Sequence, residues 1–219
     1  VSADRKGSRR TGTKAKWESL FEPFQHVYQF KVTLKHVRPP VWRRIQVPET
    51  YTFWDLHVAI QDAMGWGDMH LHGFTVPARY PWDRRHIGIP SEEDLIRVEP
   101  GWKVGIREVF GPDTQVVHYV YDFGDSWEHT VRLEKILPRE EGVEYPRCTG
   151  GRRACPPEDC GGPWGYARLL EALRDPHHPE RQEWEEWLEL PLDPESFDPA
   201  QVRFENPRRR LRLRQSFGL

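Results

Sequence analysis

The chain has 219 residues, 37% of them hydrophobic and 12% aromatic, which suits one large domain or two small ones with a core built on aromatic side chains. No apolar run approaches the roughly 20 residues that span a bilayer and no signal-peptide pattern opens the sequence, so a cytoplasmic protein with no membrane partner is expected. The net charge of −2 is uneven: residues 1–16 and 207–219 carry +5 each, leaving −12 on residues 17–206, a body that repels phosphate backbones.

Residues 1–16 hold six bases against Asp4 and almost no apolar side chain, the composition of a disordered basic arm. A single domain is expected over residues 17–206. From Val27 to Val37, Tyr28, Phe30, Val32 and Leu34 alternate with Gln29, Lys31, Thr33 and Lys35, which predicts a half-buried strand. Arg38, Pro39 and Pro40 connect it to a second strand over 41–47, closed by Pro48, and the two read as a hairpin.

Thr52 stands before a helical stripe of Leu56, Ile60, Ala63 and Met64, with Asp55 three residues on as a capping partner and Gly65 as the stop. A third strand is expected over 69–76, with His70, His72, Phe74 and Val76 on one side. Residues 77–94 show no period and read as a long surface loop. Trp102, Val104, Ile106 and Phe110 suggest a strand, and residues 115–121 and 127–137 suggest two more, joined by a turn at Phe123 to Ser126.

Residues 145–166 contain all three cysteines among glycines and prolines, and no strand or helix period fits them. Pro163 then opens a helix carrying Tyr166, Leu169, Leu170 and Leu173 up to Asp175, and a shorter helix follows over 183–190. Strands first and helices last is an α+β order: a mixed, largely antiparallel sheet with one early helix and C-terminal helices packed against it. The arginines at 208, 209, 210, 212 and 214 read as a tail which, with residues 1–16, is where a nucleic-acid or acidic-protein partner would bind.

Cys148, Cys155 and Cys160 leave gaps of six and four residues. An odd number of clustered cysteines favours metal ligation in a reducing compartment over disulfides, and the second gap falls within structural-zinc spacing. His129, on the apolar face of its strand, is the expected fourth zinc ligand; loose thiols are the alternative. A two-residue turn at Gly124 and Asp125 would pair Val120 with His129 and His118 with Val131, putting both histidines on one face.

A second constellation joins Asp122, Asp125, Glu158 and Asp159 to His70, His72 or His129, a donor set suited to general acid-base or metal-assisted chemistry. The plainer reading has the aspartates capping their own turn and Glu158 and Asp159 complementing a helix start. The triplet Asp122, Phe123, Gly124 lacks the other kinase segments, and no phosphate-cradling loop, helical metalloprotease pair or nucleophile elbow is present.

The segments MHLHGF at 69–74, YDFGDSWEHTV at 121–131 and CPPEDCGGPWGY at 155–166, with VTLKHVRPPVWRRIQVP at 32–48 and DPESFDP at 193–199, resemble the Ri-plasmid open-reading-frame-three-like family. Some of its members carry a transposon-passenger, resolvase-like label, although no serine-recombinase signature is found in this chain. The resemblance implies an α+β fold and a shared site among His72, Asp122, Gly124, Asp125, Trp127, His129, Pro157, Glu158, Asp159, Gly161, Gly162 and Tyr166. It suggests a mobile-element-associated binding or interaction domain, to which the cysteine spacing, not the resemblance, adds the expected zinc loop. The alternatives are a metal-assisted hydrolase or nuclease at the His-carboxylate site, and nucleic-acid binding by the arms.

Overall fold

The computed structural model describes residues 24–188 and 190–216. The basic arm over 1–16 lies outside them. Eight strands form one sheet in the order β5-β4-β3-β6-β7-β1-β2-β8. They are β1 (His26–Leu34), β2 (Trp42–Pro48), β3 (His72–Val76), β4 (Arg85–Gly88), β5 (Val98–Pro100), β6 (Val116–Tyr121), β7 (Trp127–Pro138) and β8 (Arg147–Arg152). Only β4 and β5 pair in parallel. Among the described residues four helices complete the α+β fold: α1 (Phe53–Met64), α2 (Gly162–Arg174), α3 (Arg181–Trp187) and α4 (Pro207–Ser216).

The β1–β2 hairpin forms as the alternation requires, with Phe30, Val32 and Leu34 turned into the core. Helix α1 begins at Thr52, whose hydroxyl accepts from the Asp55 amide while the Asp55 carboxylate accepts from the Thr52 amide, and it ends on left-handed Gly65. Its Phe53, Leu56 and Ile60 join Phe30, Phe74, Tyr119 and Val131 in one core. Tyr166, Leu169 and Leu170 of α2 belong to the same core, and that burial holds the C-terminal part of the chain to the sheet.

Four expectations need correction. Residues 102–110 form no strand: Val104 and Ile106 are buried between short 3-10 turns, and Phe53 donates to the Val104 carbonyl. The 77–94 segment contains β4 rather than only loop. Residues 147–152 of the cysteine stretch are a strand that pairs with β2, so ladder bonds do hold this part. The connection from β6 to β7 spans five residues, because Tyr121 pairs with Trp127; Tyr119 therefore faces His129, His118 faces Thr130, and His118 is exposed on the opposite side of the sheet from His129.

The arginine-rich run is helical and folds back on α1. Arg210 reaches Asp62 at 2.7 Å and Arg214 reaches Asp68 at 2.8 Å, so two of its cations are directed at acids of the chain itself. No helix among the described residues is long and apolar enough to cross a membrane.

Candidate functional site

Three segments converge beside the β6–β7 connection: the link from α1 to β3, the connection itself and the approach to α2. Register lays His72, Tyr121 and Trp127 side by side, with Phe74, Tyr119 and His129 in the next row. Trp66 stacks on Tyr121 with ring centroids 5.0 Å apart and meets His129 edge-on at 5.4 Å. Its indole donates to the Pro156 carbonyl at 2.9 Å, tying the cysteine segment to the end of α1.

Glu158 is the latch of this junction. One carboxylate oxygen accepts from the Tyr121 hydroxyl and the other from the Gly67 amide at 2.7 Å. The Tyr121 oxygen also accepts from the Met69 amide at 2.9 Å. Burial and the neighbouring Glu158 carboxylate push the Tyr121 phenol up, so it stays protonated and donating. Across the junction the carbonyl of Asp125 lies where a Cβ on Gly162 would stand, and Gly162 has φ of +67°, so only glycine brings α2 this close to the turn.

His70, Asp122 and Asp159 meet at the surface of this junction. His70 Nε2 lies 2.9 Å from Asp159 Oδ1 and 3.7 Å from Asp122 Oδ2. Asp122 Oδ1 accepts from the amides of Gly124 at 2.9 Å and Asp125 at 3.3 Å, the self-capping read from the sequence, which leaves Oδ2 turned to His70. The shared-site residues thus divide: Asp122 and Asp159 join His70, Glu158 is committed to structure, and Asp125 has a buried Oδ2 without a partner. A surface depression of 670 Å³ lies elsewhere, on the sheet face lined by Arg44, Arg132 and Glu134.

His72 and His129 point inward instead. His129 is wholly buried with both ring nitrogens unpartnered, and burial lowers its pKa to about 3. His72 stacks on His57 of α1, ring centroids 3.4 Å apart and 8° from parallel. His57 Nε2 lies 3.0 Å from Asp68 Oδ1, and its Nδ1 lies 2.9 Å from the Tyr119 hydroxyl. Burial pushes both imidazoles down toward the neutral form, whereas Asp68, which burial alone would raise, is held below the usual carboxylate range by His57 and Arg214.

Sequence reasoning missed His57 and Asp68, and read Arg214 only as part of a tail for an outside partner. His57 had a signal, since it stands four residues after Phe53 and three before Ile60 on the buried face of α1. Among the described residues, two groups of three His, Cys, Asp or Glu side chains offer ligand atoms within 4.8 Å of one another: His57, Asp68 and His72, and His70, Asp122 and Asp159. Neither includes Cys148, Cys155, Cys160 or His129. Burial raises the pKa of the Cys155 and Cys160 thiols, the latter to about 12.

The family model described as plasmid pRiA4b ORF-3-like protein matches residues 26–201. The chain belongs to this family. It is 40% identical over 169 residues to the uncharacterized protein y4hQ of Sinorhizobium fredii (strain NBRC 101917 / NGR234), covering 74% of this chain and 80% of that protein. A crystal structure of a protein of unknown function, MM3350 from Methanosarcina mazei Go1, is similar with a TM-score of 0.77 and 47% identity, over 83% of this chain and 100% of that one. The family match contains both His-carboxylate groups but ends before α4, which supplies Arg214 to Asp68.

Proposed function

We propose that the protein is a binding module that holds a divalent metal ion at His70, Asp122 and Asp159 and uses the ion's open positions to engage an anionic group of its partner. The observation that carries this reading is the convergence of three potential ligand atoms within 4.8 Å on partly exposed ground. One imidazole with two carboxylates suits zinc or manganese, and three protein ligands leave positions free on the solvent side. Exposed Met69 and Leu71 of the α1–β3 link, Phe123 of the β6–β7 connection and Trp164 of the first turn of α2 offer apolar contacts to a partner.

This reading moves the expected zinc from the cysteine loop to the His-carboxylate group. It favours binding over base-assisted hydrolysis because Glu158, the neighbouring acid that could take a proton from a metal-bound water, has both oxygens engaged. Calorimetric titration with zinc and with manganese tests it. His70→Ala and Asp159→Asn should each weaken binding at this site by at least about tenfold, the range for lost ligands and their close supports; affinity unchanged in both variants would sink the reading.

A further inference from the structure

We propose that His57, Asp68 and His72 form a second metal site, closed to solvent, for a divalent ion of the zinc class. His72 is 3% exposed, and neither of its ring nitrogens has a partner; Asp68 is 6% exposed, and its Oδ2 has none. Buried polar groups in folded chains are ordinarily satisfied, so these atoms, with the unpartnered Oε1 of nearby Gln61, point to a ligand that would engage them. One ligand atom from each of His57, Asp68 and His72 lies within 4.8 Å of the other two.

The spacing suits coordination. Two donors each about 2.0–2.1 Å from one ion stand roughly 2.9–3.4 Å apart for octahedral to tetrahedral angles, and His57 Nε2 lies 3.0 Å from Asp68 Oδ1. The surrounding bonds are of the kind that orient ligands. The other nitrogen of His57 meets the Tyr119 hydroxyl, which accepts from Gln61 at 3.0 Å, and Arg214 supports Asp68 through Oδ1 while leaving Oδ2 unused. Two imidazoles and one carboxylate select a transition metal over calcium or magnesium.

Binding has definite costs. The stacked rings, centroids 3.4 Å apart, hold their lone pairs in two near-parallel planes, so the His72 ring must tilt for both to reach one ion. The proton on His57 Nε2 that bonds Asp68 must move to Nδ1 as the ion takes its place, so that the ring stays neutral and Nδ1 donates to the Tyr119 oxygen, whose own proton turns away. Arg214 adds positive charge nearby, but it is shared among the Asp68 carboxylate and the carbonyls of Asp68 and His70.

The deciding experiment counts zinc per chain by mass spectrometry after the full chain is equilibrated with zinc chloride and desalted. Wild type, His70→Ala and His72→Phe are compared; phenylalanine keeps the stack on His57 and removes both unpartnered nitrogens. If the buried site exists, His70→Ala retains one ion and His72→Phe loses one relative to wild type. Chelation should then lower the Tm of His70→Ala by roughly 5–10 °C, the shift for a ligand present at about a hundred times its Kd in a chain of this size. X-ray absorption on zinc-loaded His70→Ala should show imidazole scattering and no sulfur, a reading that survives if His72→Phe fails to fold.

Two ions in wild type and one in each variant support both sites. One ion lost only in His70→Ala overturns the buried site and keeps the surface one; one ion lost only in His72→Phe does the reverse. No zinc in wild type, or zinc bound through sulfur, overturns both.

Discussion

His70 and His72 stand two residues apart, and the structure turns one to the surface and the other into the core. His70 meets Asp122 and Asp159 directly, whereas His72 stacks on His57, whose Nε2 lies 3.0 Å from Asp68; all three aspartates are in the left-handed region. The outer group keeps access to water, so its charges are screened and its geometry can admit a partner. The inner group has exchanged water for aromatic walls, where every unmatched nitrogen or oxygen carries a large penalty. The same residue types therefore make a binding surface in one place and a tightly constrained joint between α1, β3 and α4 in the other.

The largest effect should come from breaking the inner group. Asp68→Ala removes the acceptor of His57 and the carboxylate partner of Arg214 at once, and leaves this largely covered cation with only backbone carbonyls for acceptors. A loss of about 3 kcal/mol is expected in chemical denaturation. A change below about 1 kcal/mol would mean that Asp68 does not hold the joint.

Acid should separate inner from outer histidines next. His129 is walled by Trp66 and Tyr119, and its folded pKa of about 3 lies below the unfolded value near 6.5. Above about pH 6.5 both states are neutral and stability is independent of this ring. As pH falls, the unfolded chain takes up a proton that the folded chain refuses, and stability drops by about 1.4 kcal/mol per pH unit until the folded pKa is reached. At pH 5 the loss is about 2 kcal/mol. Thermal unfolding from pH 7 to pH 4 should be visibly less acid-sensitive in His129→Phe; parallel curves for the two proteins would refute the assignment.

Much of this division was legible in the amino-acid order. The alternation through β1 and the caps of α1 are local signals, and the inward placement of His129 follows from the period of its strand. Strand β8 was invisible because Thr149, Gly150 and Gly151 carry no apolar alternation; partner strand β2 supplies the ladder that side chains do not announce. Residues 102–110 erred in the opposite sense, since Trp102, Val104 and Ile106 imitate a strand while Gly101 and Gly105 open tight turns. Asp68 and Arg214 lie 146 residues apart, and no periodicity can report a contact made by folding a terminal helix back on α1.

The smallest effect should fall on the hinge between the two groups. Glu158→Gln keeps the shape of the latch but halves its acceptors: one end of the amide can still receive the Tyr121 hydroxyl, and the other then presents N–H to the Gly67 N–H. Because Glu158 is half-buried, water relieves part of the mismatch, and the expected loss is about 1 kcal/mol. The consequence for the outer group exceeds the energy. Asp159 follows Glu158 directly, so a slack latch lets its carboxylate drift from His70, and metal affinity at the surface should fall several-fold while the inner stack of His57 and His72 stays intact. Amide exchange at Gly67 and Met69 reports the latch, and zinc calorimetry reports the site. Faster exchange with unchanged affinity would show that Asp159 is positioned by its own turn and the start of α2 rather than by Glu158.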